Sequence, residues 1–336
     1  MKYFVVIALL CSTAVAFAQE RQWNMVEVPE AYCGNGDPYH VFVSQGHSKK
    51  VAFAFEGGGA CWGADSCYGW IKTADMASYT YVKEAGGIFS ANTSKSPLAD
   101  STMIYLPYCT GDVFAGRHTT VYEGTVTNHF GGSNVEKSFD HLVLHYSHLF
   151  QGLEELSVYG YSAGAIGAIV HLRMIDRLFG AGVPRKAAVL DAPGLHWGDA
   201  FWLKFTPELN ADYEQALNAA GLVWNINSGL IASIIPATCQ DLSDWNIGVL
   251  QSTRDRIMSL VFGDTTPAYH EARVLGKGGV QELTSDPTDN CMAYSPPTAN
   301  HTMLPRDKAS LPTIGGMFPM EFATRVFAQQ KFASLK

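Results

Sequence analysis

The sequence predicts an α/β fold in which a mostly parallel central sheet is covered by helices on both faces. Apolar runs rich in strand-forming residues alternate along the chain with segments of helical period, and this alternation favours a buried parallel sheet. Hydrophobic residues make up 47% of the 336 residues and charged residues 16%, which suits a large core. No internal repeat or low-complexity linker divides the chain. We therefore expect a single domain over residues 19–336.

Six runs rich in β-branched and aromatic residues predict the strands. The second run passes directly into glycines, the fourth stops at a turn that begins at Gly160, and the sixth ends on a turn at Asp255. The runs span residues 40–44, 50–60, 101–109, 153–162, 186–194 and 246–255.

Helical periodicity marks residues 138–150, 163–180 and 318–332. Asn134 or Ser138 is the candidate N-cap of the first helix. Residues 195–240 differ from the rest of the chain because they are aromatic, punctuated by proline and helical only in parts. We interpret this segment as an aromatic helical insertion between strands, which would cap a site.

The N-terminus has the pattern of a signal peptide over residues 1–18. Lys2 precedes an apolar stretch, and Ala16-Phe17-Ala18 forms a small-x-small cleavage pattern. The stretch is too short to span a bilayer comfortably. We expect cleavage after Ala18 and a secreted or periplasmic protein with no stable membrane insertion.

The cysteine count agrees with export. Without Cys11, six cysteines remain, and an even number in an exported protein predicts up to three disulfides. Cys61 and Cys67 are close enough in sequence to close a local loop, but the pairing of the six is left open.

Charge and motifs exclude several partners. The formal net charge is −8 and no basic run stands out, so binding to nucleic acid by bulk electrostatics is disfavoured. The chain lacks C-x-x-C and H-E-x-x-H motifs, and we expect no metal and no organic cofactor. Three histidines at helical spacing are interpreted as a solvated or packed helix face rather than a metal site: His141, His145 and His148.

The stretch LSVYGYSAGAIG places Ser162 between Gly160 and Gly164. A G-x-S-x-G motif between a strand and a helix is typical of the nucleophile elbow of α/β-hydrolases. Glycine and serine are also common in ordinary turns. Because a strand is predicted before Ser162 and a helix directly after it, we favour the nucleophile and an α/β-hydrolase-like fold.

An oxyanion hole is predicted from two segments. In this fold one N–H follows the nucleophile, here at Ala163, and others come from a glycine-rich loop after an earlier strand. Gly58 and Gly59 in FAFEGGGACW are placed to supply them, because glycine lets backbone amides point into a site. A phosphate-binding loop is disfavoured, since no G-K-[ST] follows.

The remaining members of a triad should follow the serine in the order acid, then histidine. We favour Asp255 as the acid over Asp191, which comes one strand early, and Asp264, which is held in reserve. His301, in a proline-rich loop near the C-terminus, is favoured as the base over His270, which we expect early in a helix and at the surface. Spacing alone does not prove that the three residues meet.

Aromatic residues of the insertion are candidate substrate contacts. Trp197, Trp202 and Trp224 would line an acyl-binding wall or cap, although an aromatic run in a large domain is more often ordinary core. Asn92 and Asn300 are formal glycosylation acceptors, and a glycan on Asn300 would crowd His301.

Four segments together resemble the pectin acetylesterase family: Glu56–Gly58 with Cys61, Tyr108–Gly116, Ser162–Gly164 and LQSTRDRI at residues 250–257. The resemblance spans about residues 50–305 and is patchy between 195 and 240. It implies an α/β-hydrolase-like fold and a Ser-His-Asp triad of Ser162, His301 and Asp255. The chain departs from the family at Tyr161 and at Gly59–Ala60, which implies a reshaped pocket mouth.

Three hypotheses follow. The first is a secreted serine carboxylesterase that acts on an O-acyl ester, with acetylated polysaccharide as the first choice. The second is a lipase or polyester hydrolase whose larger apolar pocket is formed by residues 195–240. The third is a non-catalytic binding protein, which the retention of serine, acid, histidine and loop glycines argues against.

Overall fold

The core of the protein is an eight-stranded sheet. We describe a computed structural model, which covers residues 20–197, 201–221, 231–286, 289–305, 311 and 313–336. Within these residues the strands are β1 (Asn24–Tyr32), β2 (Pro38–Ser44), β3 (Lys50–Phe55), β4 (Thr102–Leu106), β5 (His118–Tyr122), β6 (Thr125–His129), β7 (Glu155–Tyr161), β8 (Arg185–Asp191), β9 (Trp245–Leu250) and β10 (Cys291–Tyr294).

The sheet order is β1-β2-β4-β3-β7-β8-β9-β10. The run from β4 to β10 is parallel, whereas β1 and β2 add antiparallel strands at one edge. β5 and β6 form a separate hairpin. The predicted mostly parallel sheet is confirmed.

Helices lie on both faces of this sheet. They are α1 (Ala64–Cys67), α2 (Gly131–His145), α3 (Ala163–Phe179), α4 (Pro207–Ala219), α5 (Ile235–Asp241), α6 (Pro267–Leu275), α7 (Val280–Leu283) and α8 (Pro319–Phe327). Successive residues of β3 enter two different cores, because side chains alternate along a strand. Phe53 and Phe55 pack into the large core with residues of α2 and α3, whereas Ala52 and Ala54 face the smaller core that includes α8.

The start of α2 differs from the sequence prediction. Neither Asn134 nor Ser138 caps the helix, which begins at Gly131, and the N-cap position is Phe130, four residues before Asn134. The N–H of Gly131 instead donates to the carboxylate of Asp112 over 2.6 Å, and Asn134 hydrogen-bonds the backbone of Tyr32. The first amide of the helix is therefore capped by Asp112, which lies 19 residues earlier in the chain.

The insertion at residues 195–240 lies between β8 and β9. Its described parts include α4, α5 and short 3₁₀ turns at Phe201–Lys204 and Ile231–Ile234. Its aromatic side chains are buried in the same large core as α3. The segment is thus packed into the domain over its described length.

Three disulfides staple the fold, as the six cysteines predicted. They join Cys33 to Cys109, Cys61 to Cys67 and Cys239 to Cys291. The second closes the local loop expected from its spacing, and the third ties α5 to β10.

Two of the predictions fall on residues that the structure does not describe. The signal peptide prediction at residues 1–18 lies outside the described residues, as does Trp224. In the described part of the chain, no helix is long and apolar enough to cross a bilayer. The same residues contain no group of three or more His, Cys, Asp or Glu side chains arranged to hold a metal.

Candidate active site

Ser162 lies in a sharp turn between β7 and α3, with φ 54° and ψ −125°. A non-glycine residue rarely adopts a positive φ, and such backbone strain is concentrated at functional sites. The flanking glycines are needed for space. A Cβ on Gly160 would lie 2.2 Å from the carbonyl oxygen of Gly164, and one on Gly164 would lie 2.1 Å from that of Phe55. The motif thus packs α3 tightly against β3 and lifts Ser162 to the sheet's edge.

A continuous chain of hydrogen bonds begins at the Ser162 hydroxyl. Oγ lies 2.8 Å from Nε2 of His301, and Nδ1 of His301 lies 2.9 Å from Oδ2 of Asp255. The structure therefore brings together the three residues selected from the sequence, which are separated by up to 139 positions. In this arrangement Oγ donates to Nε2, while the Nδ1–H donates to the carboxylate.

Asp255 is fully buried and held in place by backbone amides. Its Oδ1 accepts from the N–H groups of Ile257 at 2.9 Å and Met258 at 3.0 Å, which leaves Oδ2 for His301. These amides open a π-helical turn at Ile257–Phe262, a form that is frequent at functional sites. Two fixed donors on one oxygen orient the carboxylate toward the imidazole.

Asp191 supports the histidine loop instead of serving in the hydrogen-bonded chain. It is the last residue of β8. Its Oδ2 accepts hydrogen bonds from the N–H groups of Met303 and Leu304, and both distances are 2.8 Å. Its backbone oxygen accepts from the N–H of Ser162 over 2.8 Å. Complete burial raises the pKa of Asp191 to about 6. This residue, considered only as a rival acid, joins the serine turn to the loop that carries His301.

The two reserve residues lie elsewhere. Asp264 is exposed and forms an ion pair with Lys204 over 2.8 Å. His270 lies early in α6, as predicted, but the expectation that it is a surface residue was wrong. Its ring is fully buried, and Nδ1 hydrogen-bonds the backbone oxygen of Thr253 over 2.8 Å. Burial lowers the pKa of His270, so the ring favours its neutral form.

The predicted oxyanion donors border the serine. Gly58 and Gly59 line an open cleft together with Ser162 and His301, and Ala163 is the first residue of α3. Within the described residues, the N–H groups of Gly58, Gly59 and Ala163 have no hydrogen-bond acceptor. Gly59 has φ +79°, and a Cβ there would lie 1.9 Å from the carbonyl oxygen of Thr73. Free amides beside a nucleophile can bind a developing oxyanion.

Glu56 is a site-supporting residue whose role was not foreseen. It precedes the glycines, is almost completely buried, and accepts from the N–H of Tyr108 over 2.7 Å. Lys83 lies 3.5 Å from its other oxygen. Burial raises the pKa of Glu56 to about 8, against the opposing charge of Lys83. The only signal in the sequence was an acidic residue directly before the glycines.

A narrow apolar pocket lies on one side of Ser162. Its volume is only about 10 Å³, which is room for roughly one water-sized group. Trp197 lines it and stacks on Phe201 with ring centroids 3.7 Å apart, while the indole N–H lies 3.3 Å from Sδ of Met258. The wall is completed by Gly59, Ala60, Val113, Ala163, Ile166, Met258 and Phe262.

On the other side the serine faces a wide cleft of about 470 Å³. Ser162 and His301 lie in its floor, and Tyr161, Thr302 and the π-helical turn contribute to its walls. Lys72 and Thr73 also line this cleft. The nucleophile therefore lies between a small apolar pocket and a wide, more open cleft.

Trp202 does not line either of these spaces. It is buried in a second layer, where its ring packs edge-on against Tyr213 at 5.1 Å and against Trp197 at 5.6 Å. Of the three tryptophans proposed as substrate contacts, the structure places only Trp197 beside Ser162, and Trp224 lies outside the described residues.

Comparison with known proteins agrees with this architecture. Residues 18–239, about two thirds of the chain, match the family model for pectinacetylesterase, and this range contains Ser162 and the Gly57–Gly59 loop. The chain is also similar to palmitoleoyl-protein carboxylesterase NOTUM of Schmidtea mediterranea, with 26% identity over 192 residues. That alignment covers 53% of this chain and 35%, about a third, of the relative's length. The chain belongs to the pectinacetylesterase family.

Proposed function

We propose that the protein is an exported serine esterase that removes acetyl groups from an acylated carbohydrate. The observation that carries this proposal is the chain of hydrogen bonds from Ser162 through His301 to Asp255, which opens between a methyl-sized pocket and a wide cleft. The catalytic unit would be one domain over residues 19–336.

The first half of the reaction forms an acyl-enzyme. Ser162 Oγ attacks the ester carbonyl while His301 Nε2 takes its proton, and Asp255 stabilises the imidazolium that results. The carbonyl oxygen becomes an oxyanion, for which the N–H groups of Gly58, Gly59 and Ala163 are the proposed donors. The carbon–oxygen bond to the alcohol then breaks, and the alcohol leaves with the proton from His301.

The second half releases the acid. Water occupies the place of the departed alcohol in the cleft, and His301 takes its proton as it attacks the acyl carbonyl. A second oxyanion intermediate collapses, Ser162 regains its proton, and a carboxylate leaves. No group beyond those of the chain and water is required, because the same imidazole serves as base and acid in turn.

The dimensions of the two spaces support the choice of substrate. An acetyl methyl group fits a pocket with room for about one water-sized group, whereas a long acyl chain needs far more apolar volume. The open cleft accepts a large alcohol. The relative named as a palmitoleoyl-protein carboxylesterase acts on a longer acyl group by its name, so acyl length is the property that the experiment must measure.

Export is supported by the cysteines and by the N-terminal pattern. Three disulfides join six cysteines, and such bonds persist in oxidising compartments. Residues 1–18 have the charge and apolar pattern of a cleavable signal. N-terminal sequencing of the exported protein is expected to begin at Gln19.

The test is hydrolysis of p-nitrophenyl acetate, butyrate and palmitate by the mature protein beside Ser162→Ala. We expect wild type to prefer acetate and the variant to lose roughly 10³-fold or more in kcat. Ser138→Ala is the matched control, because Ser138 is also buried but its hydroxyl donates to the carbonyl oxygen of Asn134 within α2.

The other outcomes separate the alternatives. Preference for palmitate would replace the acetylesterase with the lipase-like hypothesis. A wild-type protein that hydrolyses none of the esters and leaves Ser162 unlabelled by a fluorophosphonate would instead indicate a non-catalytic binding protein.

A further inference from the structure

We propose that Trp70 is a carbohydrate-binding platform on the alcohol side of the cleft, where it stacks on a pyranose ring of the substrate next to the acylated sugar. The inference rests on the proposed carbohydrate esterase activity and extends it to a subsite outside the hydrogen-bonded triad.

Trp70 is unusual in its exposure. Its relative accessibility is 102%, and Ile71 beside it is 66% exposed. Large aromatic side chains are normally buried, because removing their surface from water is favourable. Exposed apolar surface that adjoins a cleft is typical of ligand-binding sites.

The position of Trp70 is fixed by the cleft edge. Trp70 and Ile71 occupy the middle of a turn in which the N–H of Lys72 donates to the carbonyl oxygen of Gly69 over 3.3 Å. Lys72 and Thr73 line the same cleft as Ser162 and His301. Two peptide units separate Trp70 from Lys72, so their Cα atoms are at most about 7.6 Å apart. The backbone of Trp70 therefore lies next to the cleft edge, and the proposal is that its exposed indole meets a ligand that extends from the cleft.

The turn is braced against the oxyanion loop. The Cys61–Cys67 disulfide closes its base. The Thr73 hydroxyl donates to the carbonyl oxygen of Ala60 over 2.6 Å, and the Thr73 N–H donates to that of Ser66 over 2.8 Å. These contacts fix the backbone of the segment that carries Trp70 relative to the glycine-rich loop.

The π-helical turn also contributes apolar groups to the cleft. Val261 lines the cleft and is 42% exposed, and its neighbour Leu260 is 51% exposed. Both belong to the π-helical turn that follows Asp255. A ligand in the cleft would therefore meet apolar groups of this turn as well as the polar side chains of Ser162 and His301.

A sugar chain fits this surface better than a lipid bilayer does. Sugar rings present apolar C–H faces and a polar periphery, which matches an isolated aromatic ring beside polar groups. Lys72 at the same edge is paired with Asp75 over 2.9 Å, and the chain carries a formal net charge of −8. Neither feature attracts an anionic membrane surface.

The experiment compares Trp70→Ala, Trp70→Phe and the control Leu203→Ala on two substrates. Leu203 is 85% exposed and is not among the cleft-lining residues described, so its truncation tests general loss of exposed apolar surface. The substrates are p-nitrophenyl acetate, which has no sugar, and chemically acetylated xylohexaose. Circular dichroism and thermal melting check that the variants fold.

We expect Trp70→Ala to lower kcat/KM on the acetylated oligosaccharide by about 3- to 10-fold, mainly through KM. Activity on p-nitrophenyl acetate should stay unchanged. Trp70→Phe should retain part of the oligosaccharide activity, and Leu203→Ala should match wild type on both substrates. In the inactive Ser162→Ala background, calorimetry should show weaker binding of acetylated xylohexaose after Trp70→Ala.

Several results would contradict the proposal that Trp70 is a carbohydrate-binding platform. One is an unchanged KM for the oligosaccharide in Trp70→Ala, and another is an equal loss on both substrates. A change in oligomeric state or in binding to phosphatidylcholine vesicles, without a change in oligosaccharide binding, would assign Trp70 to a different partner. If wild type hydrolyses p-nitrophenyl acetate but neither binds nor hydrolyses the acetylated oligosaccharide, the proposed carbohydrate substrate itself is wrong.

Discussion

The two spaces that meet at Ser162 are built in different ways. The proposed acyl side is a pocket of about 10 Å³ lined by side chains from distant parts of the chain, among them Trp197, Phe201 and Ile166. The proposed alcohol side is a cleft of about 470 Å³ whose lining includes residues of a disulfide-braced turn and a π-helical turn. In the proposed reaction, selectivity for the acyl group therefore depends on core packing, whereas contact with the alcohol depends on exposed loops.

This difference separates two kinds of mutation. A change in the acyl pocket alters the core and costs stability together with selectivity. A change at the cleft edge is expected to leave the fold intact, because residues such as Trp70 make no core contacts. A change in the hydrogen-bonded chain between the spaces should affect every ester alike.

The largest effect is expected at the boundary between the two spaces. Asp255→Asn should lower kcat by roughly 10³- to 10⁴-fold, because the amide no longer holds His301 in the required tautomer. The loss should be equal for acetate and butyrate esters of small and large alcohols. Steady-state kinetics on such a panel measures it.

Asp264→Asn is the matched control for this substitution. Asp264 is another acid that follows β9, but it is exposed and paired with Lys204, so its loss should leave kcat within about twofold of wild type. If both substitutions reduced kcat equally, Asp255 would not be the acid of the triad.

An intermediate effect is expected from enlarging the acyl pocket. Ile166→Ala removes side-chain volume from the pocket wall on α3. The two additional methylenes of butyrate should then be accommodated, at about 0.8 kcal/mol each, which shifts the butyrate-to-acetate ratio of kcat/KM roughly tenfold. Kinetics with the two p-nitrophenyl esters measures the ratio.

Ile169→Ala controls for lost stability. Ile169 is equally buried on α3 but does not line the pocket described here, so both variants should lose about 2–5 kcal/mol of unfolding free energy. Only Ile166→Ala should change the acyl preference. An unchanged ratio in that variant would show that the small pocket does not select the acyl group.

The smallest effect is expected from Glu56, whose carboxyl group directly precedes the glycine-rich loop that lines both spaces. Because burial raises the pKa of Glu56 to about 8, folding takes up a proton between about pH 4.5 and pH 8. The contribution of Glu56 to stability is then complete below about pH 4.5 and is lost as the pH rises through 8. The difference in unfolding free energy between wild type and Glu56→Gln should fall over this range, as measured by urea denaturation at several pH values.

Glu136→Gln is a control with the opposite sign. A hydrogen bond from Arg117 lowers the pKa of Glu136, so its contribution is present at neutral pH and is lost as the pH falls through the lowered value. A Glu56→Gln difference that did not depend on pH would contradict the raised pKa of Glu56.

The local sequence pattern was sufficient to predict the turn at Ser162. The glycines at 160 and 164, a strand before and a helix after, predicted the local geometry because each feature depends on neighbouring residues. The mostly parallel character of the sheet was predicted from the alternation of strand and helix signals along the chain. The caps of α2 were predicted wrongly, since the N-terminal donor is satisfied by Asp112 through a contact that local pattern does not contain.

Contacts between distant segments distinguished residues of the same type, which the sequence could rank only by their order along the chain. His270 and His301 are both histidines after the serine, yet one is buried against Thr253 and the other lies 2.8 Å from Ser162. The supporting function of Asp191, the raised pKa of Glu56 and the burial of Trp202 behind Trp197 likewise depend on contacts between segments far apart in the chain.

The amino-acid sequence by itself determined the fold class, the family, the serine turn and the glycine-rich loop, because periodicity and glycine's freedom from side-chain clashes act over a few residues. Only the tertiary structure decided which acid and histidine meet the serine, how small the apolar pocket beside it is and that Lys72 and Thr73 line the cleft. Those properties arise from the packing of distant segments, and packing depends on the whole chain at once.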